Sequence, residues 1–276
     1  MTTMIEKLEQ AAEFLRPRVL SRAKVGVVLG TGLGALADEV KVSARVSFSD
    51  IPHLPQPSVT SHAGQFLAGK LAGTDVFVLD GRLHAYEGHA MESIVFPVRL
   101  LGRLGCTTVV LSNAAGGLNP KYKLGDLMVL NDHISLPGMC GRNPLVGSND
   151  EKLGPRFPDM SEPYSRKLIK LAHATAKKLK LDLREGVYVQ VVGPNLETRA
   201  EYRFLRQMGA DVVGMSTVPE VIAARHMGLQ VIAFSIVTDK CDPDHLEEAN
   251  IERIIETANA AEPKLTKLVK SLVGQL

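Results

Sequence analysis

Apolar and polar positions follow two different periods along this chain. Residues 4–16 place Ile5, Leu8, Ala11, Ala12 and Leu15 three to four positions apart, the spacing of one face of an amphipathic helix. Short, nearly continuous apolar runs follow at 25–30, 76–79, 108–111, 127–130, 187–192, 211–213 and 231–237. Runs that are apolar on both faces mark strands buried inside a sheet. Between several of them the helical spacing returns, predicting helices over 92–104, 164–180, 198–208 and 219–227. A last helix is expected over 246–272, broken or kinked near Ala261 because Pro263 lacks the N–H that a helix interior uses. Strands alternating with helices predict an α/β sheet, much of it parallel. No repeat, low-complexity tract or linker divides the chain, so residues 1–276 read as one domain. Two segments rich in Pro, Gly and polar residues, 51–64 and 136–160, are expected to be functional or partner-facing loops.

Composition narrows what such a domain does. With 45% apolar and 22% charged residues the chain is expected to fold rather than stay disordered. Lys and Arg number 32 against 30 Asp and Glu, a net charge of +2 that offers no basic face to a nucleic-acid backbone. Cys106, Cys140 and Cys241, odd in number and far apart, suit neither a disulfide framework nor a zinc ribbon. The first residues are charged and lack the apolar stretch of a signal peptide, and no apolar run approaches the roughly 18–20 residues that span a bilayer. The expectation is a soluble cytoplasmic enzyme with neither a membrane nor a nucleic-acid partner.

Candidate chemistry sits where the apolar runs end. Gly30-Thr31-Gly32-Leu33-Gly34-Ala35 fits a relaxed dinucleotide fingerprint, but only 35–41 remain for the helix that a nucleotide-binding unit needs. A tight turn and an anion-holding loop both stay open; in the second, glycines free N–H groups for the anion and Thr31 adds a hydroxyl. Arg82, His84 and Tyr86 alternate, so in extended chain they share one face. A guanidinium beside an imidazole suits a phosphate, and the tyrosine suits a sugar; an exposed edge strand is the plainer alternative. His84 and His89 fit no metal-ligand spacing. Small residues at 112–117 suit either a ligand-binding strand end or a turn. Glu197 is either a first-turn helix acid or a ligand contact, and Asp239 either a loop acid or a buried proton handler. Ser216 lacks the G-x-S-x-G setting of a hydrolase nucleophile. Taken together, the run ends suit a small substrate with a phosphate, a polyol and a polar ring.

Over nearly its full length the sequence resembles the trimeric purine nucleoside phosphorylases. The motifs that carry the resemblance are GTGLG at 30–34, SHAG at 61–64, GRLHAYEG at 81–88, SNAAGGLNP from Ser112 onward, RFPDMSEPY from Arg156 onward, GPNLET at 193–198 and GMSTVPE at 214–220. The resemblance sets the dinucleotide reading aside. It implies a single α/β domain with a mixed, partly barrel-like sheet flanked by helices, assembled as a homotrimer. It implies reversible phosphorolysis of purine (2′-deoxy)ribonucleosides to free base and (deoxy)ribose 1-phosphate, with inorganic phosphate as co-substrate and no metal or organic cofactor. Carried onto this sequence, Thr31, Arg82, His84, Ser216 and the Ala114 N–H would hold phosphate, with His62 nearby. Tyr86 and Met215 match sugar-binding positions, and Phe157 an aromatic that reaches the sugar from a neighbouring subunit. Asn113, Ala114, Tyr188, Leu196, Glu197, Val213, Gly214, Thr238 and Asp239 match the base pocket, with His84, Glu197 and Asp239 the catalytic candidates.

Two positions depart from relatives that act on inosine and guanosine. Asp239 stands where many carry asparagine, and an ionised aspartate cannot donate to O6 or N7. It suits a 6-amino group instead, or a protonated acid facing N7. Ile251 falls where a histidine meets the sugar 5′-hydroxyl, and favours an apolar 5′ substituent. Glu197 points the other way, since it accepts from the N1–H of 6-oxopurines. The expectation is therefore an inosine/guanosine-type phosphorylase tolerating 6-aminopurines, with a 5′-methylthioadenosine phosphorylase as the alternative. A nucleoside hydrolase and a catalytically impaired nucleoside-binding protein are the readings from other classes.

Overall fold

A computed structural model describes residues 2–19, 22–31, 33–58 and 63–276. Helix α1 (Met4–Leu15) starts at Thr3, whose hydroxyl accepts from the Glu6 N–H while the Glu6 carboxylate accepts from the Thr3 N–H. That reciprocal cap satisfies two donors the helix end leaves over. Its buried face is Leu8, Ala11, Ala12 and Leu15, as the spacing predicts. There follow β1 (Val25–Leu29), β2 (Lys41–Ser47), β3 (Gln65–Leu71), β4 (Thr74–Asp80), α2 (Met91–Arg103), β5 (Thr108–Gly117), β6 (Leu127–Ser135) and the single turn α3 (Leu136–Met139). The chain ends with α4 (Arg166–Leu179), β7 (Leu183–Gln190), α5 (Arg199–Gln207), β8 (Val212–Gly214), α6 (Val218–His226), β9 (Gln230–Lys240) and α7 (Ile251–Val273).

Two expectations need correction. Strands β2 and β3 lie outside the predicted runs. β2 is the sheet's edge, and Lys41, Ser43 and Arg45 alternate outward, so it has no continuous apolar run to recognise. The last helix starts later than expected, with Asn250 accepting the Arg253 N–H, and Pro263 does not break it. A proline in a helix interior costs about 3 kcal/mol. Here Ala258, Ala261, Leu265, Leu268, Val269 and Leu272 are buried on one continuous stripe, which outweighs that cost. Among the described residues no helix is long and apolar enough to cross a membrane.

The nine described strands join in the order β2-β3-β4-β1-β5-β8-β7-β6-β9, and a further pairing of β5 with β9 closes the last five into a barrel. The sheet is mixed: β1 pairs in parallel with β4 and β5, and β5 with β9, whereas β5–β8 and β6–β9 are antiparallel. Helices α1, α2 and α6 pack together, as do α4 and α7. Because β4, β1, β5 and β9 run the same way, their carboxyl ends lie along one rim, where open α/β sheets bind ligands. At that rim β9 carries a bulge: Ala115 pairs with Val237 but Gly116 with Asp239, leaving Thr238 as an extra residue. The bulge interrupts the strand's alternation, so that the neighbours Thr238 and Asp239 both face the same cavity.

Candidate functional site

A cavity of about 360 Å³ opens at this rim. β1 delivers Thr31, the segment after β4 delivers Arg82, His84 and Tyr86, and β5 delivers Asn113 and Ala114. The cis Gly193–Pro194 turn precedes Leu196 and Glu197. Val213, Gly214, Met215 and Ser216 line the cavity from β8 onward, and Thr238, Asp239, Cys241 and Ile251 line the wall beyond them. Most of the candidate residues therefore meet in one place.

Arg82 is the charged centre of one end. It is 2% exposed; Nη1 donates to the Ser112 carbonyl and, at 3.5 Å, to Ser216 Oγ, and Nη2 lies 3.3 Å from Glu220 Oε2. Its Nε has no hydrogen-bond partner among the described residues, donor capacity the protein itself leaves unused. Gly30 makes room for the arginine: an alanine Cβ there would lie 2.7 Å from Arg82 Nη1 and against the Ser112 carbonyl. Glu220 is the countercharge. Burial pushes its carboxyl up, Arg82 pulls it down, and its Oε2 accepts from the Thr217 N–H at 3.1 Å.

His84 faces the same space, stacked on Tyr86 with ring centroids 4.7 Å apart. Its Nδ1 meets Glu87 Oε1 at 3.0 Å. Burial first, and the Arg82 charge second, push the imidazole down to about 4, against the pull of Glu87. Burial would raise Glu87, but hydrogen bonds from Ser58 and His84 bring it down to about 2. A dianion beside His84 would favour the imidazolium. An NMR titration of the His84 ring is therefore expected to show a midpoint near 4, moving upward when inorganic phosphate is added. A midpoint indifferent to phosphate would take His84 out of the anion's neighbourhood.

The other end is acidic. Glu197 is half-buried, and burial, with the Asp239 charge adding to it, raises its carboxyl above the usual range. Asp239 accepts from Thr238 Oγ1 at 2.9 Å and from the Cys241 thiol at 3.3 Å. The apolar Leu196 and Ile251 stand at the mouth, both solvent-exposed.

Some candidates lie elsewhere. His62 falls outside the described residues. Tyr188 is fully buried and does not line the cavity; its hydroxyl accepts from the Ser216 N–H at 3.3 Å, and its ring packs where a Gly214 side chain would be. Tyr188 thus supports the site from behind. Asn113 lines the cavity, yet its amide binds Thr217 Oγ1 at 2.9 Å and Ser235 Oγ at 2.6 Å, holding the turn that presents Ser216. Phe157 is 88% exposed on the loop between α3 and α4, away from the cavity. Sequence reasoning missed Glu220 and Glu87. The signal for Glu220 was available, because it is the one acid in the otherwise apolar run Val218–Ala224, and a buried acid needs a buried cation. Cys241, two positions beyond Asp239 in the sequence, lines the cavity beside it, whereas Tyr202 carried no pattern of its own.

Comparison with known proteins adds a second line. The sequence pattern of the phosphorylase superfamily matches residues 24–274. The chain is 44% identical to the purine nucleoside phosphorylase of Rattus norvegicus over 98% of this chain and 95% of that one. Purine nucleoside phosphorylase 1 of Bacillus subtilis is 42% identical, with 99% of each chain covered. Among solved structures, the Schistosoma mansoni purine nucleoside phosphorylase in complex with inosine superposes with a TM-score of 0.94 at 39% identity, covering 99% of this chain and 97% of that one. The complex of the Schistosoma mansoni enzyme with adenosine gives 0.93 at 39% identity, over 99% and 98%.

Proposed function

The chain belongs to the phosphorylase superfamily, among its purine nucleoside phosphorylases, and from that premise we propose which of its groups hold each part of the substrates. The reaction is phosphorolysis of a purine nucleoside, with phosphate as co-substrate. In this reading phosphate sits against Arg82, His84, Thr31, Ser216 and the Ala114 N–H. The pentose lies on Tyr86 and Met215 with its 5′ end toward Ile251. The base faces Glu197 and Asp239, bounded by Asn113, Leu196, Val213, Gly214 and Thr238. No metal or organic cofactor has a part. Phe157 serves a neighbouring subunit's sugar site in a homotrimer, a role supported by its almost complete exposure in one chain. Three unpaired cysteines support a cytoplasmic setting.

The chemistry follows from charge. Cleavage of the N-glycosidic bond leaves positive charge on the sugar ring and negative charge on the departing purine. Phosphate below the sugar stabilises that cation and then bonds C1′, with Arg82 and its neighbours fixing the phosphate in line. Ionised Glu197 accepts from N1–H and so orients a 6-oxopurine. A proton donor at the O6/N7 edge, where Asp239 lies in this reading, neutralises the leaving group, help typically worth about 10²–10⁴-fold. The carrying observation is the division within one cavity between the cationic group around Arg82 and the carboxylate pair Glu197/Asp239.

The test is base release from inosine, adenosine and 5′-methylthioadenosine, each with and without phosphate. Release from inosine at least as fast as from the other two, and only with phosphate, is expected. Release without phosphate would make the protein a hydrolase. Preference for 5′-methylthioadenosine would hand specificity to Asp239 and Ile251. Tight nucleoside binding with no turnover would leave a binding protein.

A further inference from the structure

The turn that presents Ser216 to the cavity is held in an unfavourable shape. Thr217 lies at φ 70° and ψ −54°, and the Val218 N–H donates to the Ser216 carbonyl at 2.8 Å. This is the strained form of the three-residue γ-turn, and a β-branched residue enters it only where its surroundings hold it. Two bonds hold this one: the Thr217 N–H donates to Glu220 Oε2 at 3.1 Å, and the Ser216 N–H to the Tyr188 hydroxyl at 3.3 Å. Through the turn, four side chains form one row. Ser235 Oγ on β9 donates to Asn113 Oδ1 on β5 at 2.6 Å, the two residues being paired across the sheet. Asn113 Nδ2 donates to Thr217 Oγ1 at 2.9 Å, and Thr217 Oγ1 lies 3.1 Å from Ser216 Oγ. Ser235 and Thr217 are buried and do not line the cavity, so neither can touch a substrate there.

The row has a direction, and Asn113 sets it. A hydroxyl can donate or accept, whereas an amide is a carbonyl at one end and an NH₂ at the other. The Ser235 side chain hydrogen-bonds nothing else among the described residues, so its single hydrogen goes to the Asn113 carbonyl and turns the NH₂ toward Thr217. Thr217 Oγ1 accepts from that NH₂ and has its own hydrogen for Ser216 Oγ. Ser216 Oγ thus accepts from Thr217 on one side and from Arg82 Nη1, at 3.5 Å, on the other. Both its lone pairs face protein donors. What remains to it is to donate, and it lines the cavity beside Arg82. With the amide reversed, every hydrogen in the row would turn round. Ser216 would then give its hydrogen to Thr217 and offer the cavity an acceptor, which repels an anion.

We propose that Ser235, Asn113 and Thr217 are positioning residues for the co-substrate, which fix the Ser216 hydroxyl as a hydrogen-bond donor turned toward phosphate. The inference rests on the phosphorylase reading, which puts phosphate at Ser216. It gives the Asn113 side chain a task at the phosphate end of the cavity. It also makes Ser235, which bonds neither Ser216 nor anything in the cavity, bear on phosphate affinity. A hydroxyl left free would rotate and have to be reoriented by the incoming anion. A hydroxyl fixed in advance meets the anion without that reorganisation, the advantage of any preorganised donor in a water-poor site.

Steady-state rates against phosphate and against inosine, on single and double variants, test the row. Thr217→Val keeps the branched shape and removes the hydroxyl. It is expected to raise the KM for phosphate about tenfold, the scale of one hydrogen bond to a charged group, with the KM for inosine unchanged. Thr217→Ser, which keeps the hydroxyl, is expected to stay near the unmodified protein. Ser235→Ala frees the amide to turn over and is expected to raise the KM for phosphate about threefold, less than the loss of the bond itself. Because the row acts only through Ser216, neither substitution should add to the loss seen in Ser216→Ala. Effects that add in full to Ser216→Ala, that fall equally on the KM for inosine, or that are absent would each overturn the proposal. Ser235→Ala, a small change away from the cavity, carries the test if Thr217→Val does not fold. Calorimetric titration with inorganic phosphate alone should rank the variants in the same order. That ranking tests the row even if no nucleoside is turned over, which would be the separate failure of the phosphorylase reading.

Discussion

Arg82→Met is expected to lower kcat/KM for phosphate about 10³-fold, the scale of losing a preorganised charged donor in a buried site. The guanidinium is 98% withdrawn from solvent by relative exposure (2% remains), so its attraction for an anion is poorly screened. It is also held in place by the Ser112 carbonyl, Ser216 and Glu220, and so it meets phosphate with little reorganisation. The methionine would leave Glu220 buried without its countercharge, and stripping one partner from a buried pair costs about 3–5 kcal/mol of stability. Arg82→Lys separates the two effects. A lysine keeps the charge near Glu220 but loses the two-pronged geometry, so it is expected to hold the melting temperature while raising the KM for phosphate about tenfold or more. Initial rates against phosphate concentration, with thermal melts of the same samples, decide the matter. A lysine variant with unchanged KM for phosphate would mean that Arg82 is structural only.

Much of this arrangement was legible because strands buried on both faces have to be apolar throughout. Val25–Leu29 and Val231–Val237 could hardly be read otherwise, and the groups that follow such strands collect on one rim by topology alone. β2 was not legible, since an edge strand with Lys41, Ser43 and Arg45 facing outward lacks the run that gives strands away. The bulge at Thr238 was also invisible. Strict alternation would send Thr238 and Asp239 to opposite faces, and only the pairing register shows both turned to the cavity. Tyr188 shows the limit of carrying a motif across: the residue matches a base-pocket position, yet Gly214 lets its ring close beneath the turn, and the hydroxyl is taken up by the Ser216 N–H. Whether a polar residue faces a ligand or holds up one that does is decided by packing. Packing is a property of residues far apart in the chain.

Glu197→Gln is expected to reverse the order of substrates. The glutamine carbonyl is a neutral acceptor for N1–H, weaker than a carboxylate, so inosine should lose about 10–100-fold in kcat/KM. Adenosine should be held or improved, because the amide NH₂ donates to N1 without taking a proton from solvent, while Asp239 accepts from the amino group. The mutation changes little in volume and removes a carboxyl that burial already disfavours in its charged form, so the fold should tolerate it. Parallel rates with inosine and adenosine at saturating phosphate check the reversal. An equal loss for both nucleosides would show that Glu197 positions the purine without reading its N1 edge, and specificity would then fall to Asp239 alone.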